Sequence, residues 1–588
     1  MQRLGRLVPP ARRWARACGG PTFKKAWDQE APRQKLQLHV SNLARTITEE
    51  DVNALFSSNC KVISVYMPKD KSTKLMRCFA YVVVADFTHL ESVCEKMNGM
   101  DVQGRPLKVA IATAQAPKRA ITSGGIALNF DIVEQKTTAD VLRLTDLRLE
   151  DLNDINIVTA IYRIGHLHAT FKSSQTPSLM HLADRAASHL LADSRKFGAQ
   201  ELSNVVWGLA KVKVASPSLF SAVSAVAVKK MANFNPRDLA HTCWACATVG
   251  FEAPQLFDAI ACRAEKKIDS YGAQDMSNTA WAFARAGVTK PSLFEALAKE
   301  APRKLGKFTS QGLSNLLWAF AKARHQAPDL FAVIASDAAD RLKTGSAQGL
   351  CNVAWAYASA QAPKTATTTV FTIIAQALPG IIKDYSAQDL AITAWAASKV
   401  KAVEAPQLVR VISAGALLKM DELNAQNLSN LAWALARERV FDTAVFESIA
   451  EASMTKMETF TSQNLANLAW AFSTAGIEPV DLFQGLISEV SRKRAELNVQ
   501  EVAMLLWALR KHENRLDLFE TFAIIVDEKM SECNADELWL LHEVYASLRD
   551  HPDHALVLVL KPHAGALEYA AAGAAGGPAA GKSNEEIP

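Results

Sequence analysis

Phe79 and Tyr81 stand two residues apart in the run Arg77-Cys-Phe-Ala-Tyr-Val-Val-Val84. Residues two apart on an extended strand share a face, so both rings are placed to stack on successive nucleobases. Arg77 can reach a phosphate, and His39, in Leu38-His-Val-Ser-Asn-Leu43, offers a weaker third stacking ring. A second set runs through most of the chain. Trp207, Trp244, Trp281, Trp318, Trp355, Trp395, Trp433, Trp470 and Trp507 follow one another at intervals of 37, 37, 37, 37, 40, 38, 37 and 37 residues, with Trp539 as a degenerate last copy. With each tryptophan at position 0, glutamine stands at −7 in eight copies and asparagine often stands at −3. A base stands at +4 in six copies: Lys211, Arg285, Lys322, Lys399, Arg437 and Lys511.

At about 100° per residue, positions −7, −4, −3, 0 and +4 of a helix gather on one side. Repeated along an array, they form a ladder of amides and cations that suits a single-stranded nucleic acid, with cations on phosphates and amides on base edges. Against this, the tryptophan, glutamine and asparagine hardly vary between copies, and a residue that reads sequence should vary. The Trp and Asn therefore read first as packing and hydrogen-bonding residues between repeats. The +4 cations read equally as solvated charge or as phosphate contacts. Position −6, which does vary (Glu201, Asp238, Asp275, Gly312, Gly349, Asp389, Asn427), is the better candidate for specificity.

Other chemistry is poorly supported. Gly576-Gly-Pro-Ala-Ala-Gly-Lys-Ser583 matches a phosphate-binding loop by letter, but that loop needs a strand before it and a helix after it. An Ala/Gly run precedes it here and five residues follow. Cys243-Trp-Ala-Cys246 has metal-site spacing, yet both cysteines fall on the apolar stripe of their repeat and no second pair lies near, so both are expected buried. His166, His168, His181 and His189 form no ligand or triad pattern. The expectation is a binding protein: no enzyme, no cofactor, no metal and no small-molecule substrate.

The elements that must position these residues are legible too. Apolar residues at −5, −2, −1, +2 and +3 (Leu313, Leu316, Leu317, Phe320 and Ala321 in the clearest copy) make the stripe of an amphipathic helix. A proline-led second pattern follows in Pro217-Ser-Leu-Phe220, Pro254-Gln-Leu-Phe257, Pro291-Ser-Leu-Phe294 and Pro328-Asp-Leu-Phe331. Each unit is thus a hairpin of helices A and B that cannot bury its apolar face alone, and stacked units predict an α-solenoid of ten or eleven hairpins over residues 151–550. The 37-residue period and the phrase Ser-x-Gln-x-Leu-Ser-Asn-x-x-Trp-Ala-x-Ala-Lys resemble the heptatricopeptide and octotricopeptide repeats and those of the FAST-kinase-like organellar proteins. That resemblance implies organellar RNA binding in processing, stability, translation or ribosome assembly. No counterpart of the RAP domain that ends many such proteins follows residue 550.

Residues 36–113 predict a separate β-α-β-β-α-β domain, with strands 36–40, 62–67, 77–84 and 107–111, helices 49–56 and 90–97, and a basic loop at 69–74. The first-strand run at 38–43 and the third-strand run at 77–84 resemble the two motifs of an RNA recognition motif. The resemblance implies RNA contact through His39, Arg77, Phe79 and Tyr81. Cys78 and Val84 depart from its pattern, and some domains of this fold bind protein instead.

The remainder sets boundaries. Residues 1–27 hold seven bases and no acid, and lack the apolar core of a secretory signal, which reads as a mitochondrial matrix presequence over residues 1–30, alternatively a plastid one or a basic tail touching RNA. The net charge is +5, so without those bases it is about −2, and RNA binding would need segregated basic patches. Nine scattered cysteines fit a reducing compartment. No run of membrane-spanning length and apolarity is apparent, so no membrane partner is expected. Residues 114–150 read as a linker and 551–588 as a disordered Ala/Gly tail. The reading is an organellar protein binding single-stranded RNA. Its alternatives are an assembly factor holding rRNA among ribosomal or RNA-processing proteins, and a protein scaffold with RNA on the small domain alone.

Overall fold

The computed structural model describes residues 36–44, 47–60, 62–67, 79–84, 90–111, 121–510 and 516–573, which divide between two compact units. The first contains β1 (Leu36–Ser41), α1 (Glu49–Ser57), β2 (Val62–Tyr66), β3 (Phe79–Val84), α2 (Leu90–Met97), β4 (Asp101–Val102), β5 (Arg105–Pro106) and β6 (Lys108–Ile111). Alternation decides its faces. Leu38 and Val40 of β1 and Ala80 and Val82 of β3 are fully buried, so residues 39, 41, 79 and 81 fall on the opposite side. The antiparallel sheet has the order β2-β3-β1-β6. Val52 and Phe56 of α1 and Val93 and Met97 of α2 close the core on its buried side. A capping box between Thr48 and Asp51 starts α1. The basic loop at 69–74 and Arg77 lie outside the described residues.

The second unit contains eleven helical hairpins among the described residues, their A helices running from Asp154–His166 to Ala535–Ser547. The apolar stripe is buried as expected: Leu313, Leu316, Leu317 and Phe320 have no exposed surface. Each A helix packs on the A helices before and after it, more closely than the B helices pack on one another. The B-helix phenylalanines make the core continuous. Phe257, Phe294 and Phe331 meet Phe283, Phe320 and Tyr357 of the next A helix edge to face, at 4.9, 5.1 and 5.0 Å between centroids. A left-handed residue at +6 ends seven of the A helices: Lys213, Gly250, Gly287, Arg324, Lys401, Arg439 and Gly476.

Four features differ from expectation. Helices Ile121–Glu134 and Thr138–Leu147 occupy much of the segment read as a linker. Ser123-Gly124-Gly125 falls near the start of the first, where glycine costs least, and Leu128 and Ile132 are buried one turn apart. In the segment read as a tail, Ala555–Leu560 and Ala564–Gly573 are helical, because alanine favours helix and Leu556, Leu560 and Leu567 are buried. Trp539 is the fifth residue of its helix, whereas Trp207 is the ninth, so Trp539 holds position −4 rather than 0. Finally, Lys364–Asp384 is long and apolar enough to cross a membrane by length and composition. It serves as the B helix of the 40-residue unit, with Val370, Phe371, Ile374 and Leu378 buried. Its apolar run was hidden by threonines, which hydrogen-bond back to the helix carbonyls.

Candidate nucleic-acid interface

In the small unit, register gathers the expected contact residues. His39 pairs directly with Tyr81, and Ser41 with Phe79, so the three ring-bearing positions adjoin on the face turned away from the core. Phe79 is half-buried there.

In the solenoid, the strip left open on the A helices is narrower than expected. Position −4 lies about 40° to one side of the tryptophan and faces the following repeat. Ser203, Ser277, Ser314 and Ser429 are buried there, and Ser203 donates to Asp238 of the next repeat at 3.3 Å. Position −6 faces the preceding repeat and caps its own helix. Glu201, Asp238, Asp275, Asp389 and Glu501 each accept the N–H of their N-cap residue, at 3.0–3.3 Å. This corrects its reading as a specificity position: where it carries a carboxylate it serves the helix cap, and at Gly312 and Gly349 it has no side chain to read with. Burial pushes the Asp238, Asp275 and Glu501 carboxyls above their ordinary values.

The strip runs along −7, −3, 0 and +4 and is most open at −7 and +4; at −3, Asn204 and Asn430 are buried and Asn278, Asn315, Asn352 and Asn467 half-buried. Gln200, Gln274, Gln311, Gln348 and Gln388 are exposed. The tryptophans are half-buried from Trp207 to Trp318, then sink to 9, 6, 4, 3 and 7 % exposure at Trp355, Trp395, Trp433, Trp470 and Trp507. Trp244, Trp281, Trp318 and Trp355 succeed one another at 6.4, 6.4 and 6.2 Å, tilted by 34–36°. They are thus partners of each other across repeat boundaries, as the packing reading had it.

The +4 cations divide along the array. Arg285 and Lys322 are exposed, and no hydrogen bond or ion pair engages them among the described residues. Lys211 is half-buried, its Nζ 6.0 Å from the Trp207 ring. Lys399 and Arg437 lie over Trp395 and Trp433 at 4.7 and 5.1 Å, and Arg437 also donates to the Ser398 carbonyl at 3.1 Å. Burial lowers the Arg437 pKa. Lys511 lies outside the described residues; Arg510 beside it stacks on Trp507 at 3.9 Å.

Two groups escaped the sequence reading. The first is a row of cations near the ends of B helices. Lys230, Lys304 and Lys456 each donate to two backbone carbonyls of the preceding repeat: Ser194 and Phe197, Asp269 and Tyr271, Asp421 and Leu423, at 2.5–2.9 Å. Lys267, Arg341, Lys419 and Lys493 reach the matching carbonyls. Their signal was a base recurring 23 or 24 residues after the tryptophan. Glu489, held by Arg492 and Lys493, has its pKa lowered to about 2 by those hydrogen bonds. The second group is Arg237 and His241, which replace the usual glutamine and asparagine of their repeat.

Cys243 and Cys246 are buried, as expected, and burial pushes the Cys246 thiol up to about 12 and Cys243 higher still. Among the described residues no group of His, Cys, Asp and Glu could hold a metal. The loop-like run 576–583 lies outside them.

Comparison with known proteins agrees with this division. Residues 38–108 match the RNA recognition motif. RbpE of Nostoc sp., described as RNA-binding, is 29% identical over 90 residues, 15% of this chain and 91% of that protein. A component of eukaryotic translation initiation factor 3 from Phaeosphaeria nodorum is 32% identical over 108 residues, 18% of this chain and 37% of that one. The chloroplastic 29 kDa ribonucleoprotein A of Nicotiana sylvestris is 28% identical over 83 residues, 14% of this chain and 30% of that one. The chain thus spans about a third of the length of the latter two relatives. The hairpins match a second family in two overlapping stretches, 176–372 and 304–517. Those stretches cover more than half of the sequence, and by them the chain belongs to the family described as RNA-editing substrate-binding complex 6 protein.

Proposed function

We propose that this protein binds single-stranded RNA, through the open face of its small sheet and the exposed strip of its A helices, and serves RNA processing, stability or translation without itself catalysing a reaction. The register that sets His39 beside Tyr81, with Phe79 two residues on, carries the reading, because ring-bearing positions that adjoin on the sheet face turned from the core suit a stacking platform. The exposed glutamines and the unengaged Arg285 and Lys322 support a second contact. The family descriptions, which name RNA recognition and an RNA-editing substrate, point the same way. The arginine-rich, acid-free residues 1–27 support a mitochondrial location. The shared phrase of the hairpins supports kinship with the heptatricopeptide type.

The test is fluorescence anisotropy of the full chain with a labelled single-stranded RNA of about 20 nucleotides, over a series of salt concentrations. Stacking contributes about 1–3 kcal/mol per base. Phe79→Ala with Tyr81→Ala should therefore weaken binding at least tenfold, and affinity should fall as salt rises. Unchanged affinity in the double variant removes the stacking role; a flat salt dependence removes the phosphate contacts.

A further inference from the structure

We propose that the first three A helices of the solenoid, Asp154–His166, Ala199–Lys211 and Pro236–Val249, hold a phosphate anchor for single-stranded RNA, formed by Arg237, Lys211 and His166 around Trp207. The proposal rests on the RNA-binding reading of the A strip and narrows it to one end of the array.

This end is built differently from the rest. Gly208 stands at +1, where all eight later copies carry alanine, and it faces Gly165. A Cβ on Gly208 would lie 2.4 Å from the Ile161 carbonyl oxygen, and one on Gly165 would lie 2.7 Å from the Gly208 Cα. Only paired glycines permit that backbone approach. Around this contact the rings also lie close. Trp207 lies 5.2 Å from Tyr162, 5.0 Å from His166 and 5.6 Å from His241, nearly parallel to the last, against 6.2–6.4 Å between the tryptophans of the following repeats.

Charge is concentrated on this platform. Arg237 takes the place that glutamine holds in the eight other tryptophan copies, and its Nη2 donates to the Tyr162 hydroxyl at 3.1 Å, bridging over the helix between them. Lys211 and His166 hold corresponding +4 positions on adjacent helices. The charges that act on His166 are Arg163, Arg237, Lys211 and His168; those that act on His241 are Arg237 and His166. Every one is basic. Asp238 and Asp275 feel the field of Arg237, but both are turned to their own helix caps, on Asn235 and Gly272. Among the described residues no carboxylate lies within ion-pair distance of Arg237, Lys211 or His166. The far end of the strip is balanced instead: Arg437 faces Glu438 and Asp536, and Arg510 faces Glu543 and Glu478.

Burial and these basic neighbours hold the His166 and His241 pKa values below the ordinary one, so Arg237 and Lys211 carry the standing charge. Two partly exposed cations without a carboxylate partner call for an anion from outside the chain, to which His166 adds a ring N–H. The aromatic floor, and the exposed glutamines and cations that continue from it through Gln274, Arg285, Gln311 and Lys322, favour a sugar-phosphate chain over an acidic peptide.

The test uses the full chain carrying Phe79→Ala and Tyr81→Ala, so that remaining RNA binding reports the solenoid. Arg237→Gln with His241→Asn is then added, which installs the residues other repeats carry and should leave the melting curve in place; Lys211→Gln is a second, independent variant. Each should weaken binding of a 20-nucleotide RNA about tenfold and flatten the log–log salt slope by about 0.7 for each phosphate set free. If the parent binds RNA and both variants match it in affinity and slope, the anchor is overturned while the strip reading survives. If the parent shows no salt-dependent binding, the strip reading falls and the anchor with it. Unchanged RNA binding with lost binding of a polyglutamate peptide would reassign the cluster to an acidic protein and overturn the proposal.

Discussion

Gly208→Ala tests the contact on which this end of the solenoid depends, because two effects of opposite sign compete there. In an open helix the change would stabilise by about 1 kcal/mol, since alanine loses less chain entropy than glycine. At Gly208 the new Cβ would meet the Ile161 carbonyl oxygen at 2.4 Å and its carbon at 2.8 Å. Both are backbone atoms that cannot rotate aside, so the helices must separate by about 1 Å to restore ordinary contact. Overpacking of this kind costs about 3 kcal/mol at the upper end of its range. The net is a loss of about 2 kcal/mol, or a drop of about 30-fold in the protection of local amides. Native-state hydrogen exchange over helices Asp154–His166 and Ala199–Lys211 measures it. Gly380→Ala is the control, because nothing lies within 4 Å of a Cβ there and about 0.5–1 kcal/mol should be gained. Protection that rises in Gly208→Ala as it does in the control would refute the close approach.

The B-helix cations give a second prediction. Lys456→Met leaves the Asp421 and Leu423 carbonyls without their donor, and should lower local stability by about 2–3 kcal/mol; unchanged amide exchange around residues 420–423 would argue against the clamp. Glu489 gives a pH dependence. Its folded pKa of about 2 lies below the ordinary glutamate value, so its contribution is complete above about pH 4.5 and fades as pH falls toward 2. The melting temperature of Glu489→Gln should therefore lie below that of the parent at neutral pH and converge on it in acid; a constant gap would sink the assignment.

Much of this protein was written in the spacing of its residues. The 37-residue interval between tryptophans reports one unit, and the stripe through Leu313, Leu316, Leu317 and Phe320 reports which side each helix buries. In the small unit, alternation alone puts Phe79 and Tyr81 on one side of a strand, and β1 supplies His39 opposite. Such patterns are local: they follow from 3.6 residues per turn and from the pleat, and no neighbour is needed to read them. The glycines near a helix start and the Ala/Gly run were misjudged because glycine and low complexity suggest loop, whereas Leu128, Ile132, Leu556, Leu560 and Leu567 find buried places only in the folded chain.

What lay beyond the sequence was every property set between repeats. Whether −4 and −6 face solvent depends on where the next helix lies, and only the stacked array shows Ser203 reaching Asp238. Whether a +4 cation stays free depends on the depth of the tryptophan beneath it, so Lys322 is exposed while Arg437 is drawn onto Trp433 and the Ser398 carbonyl. The periodic bases of the B helices carry no meaning in the sequence alone, because the carbonyls they hold stand 33–36 residues upstream. The sequence by itself determined the unit and its buried face, because those rest on intervals within one helix or strand. The tertiary structure decided which polar residues remain available to a partner, because their surroundings come from residues distant in the chain.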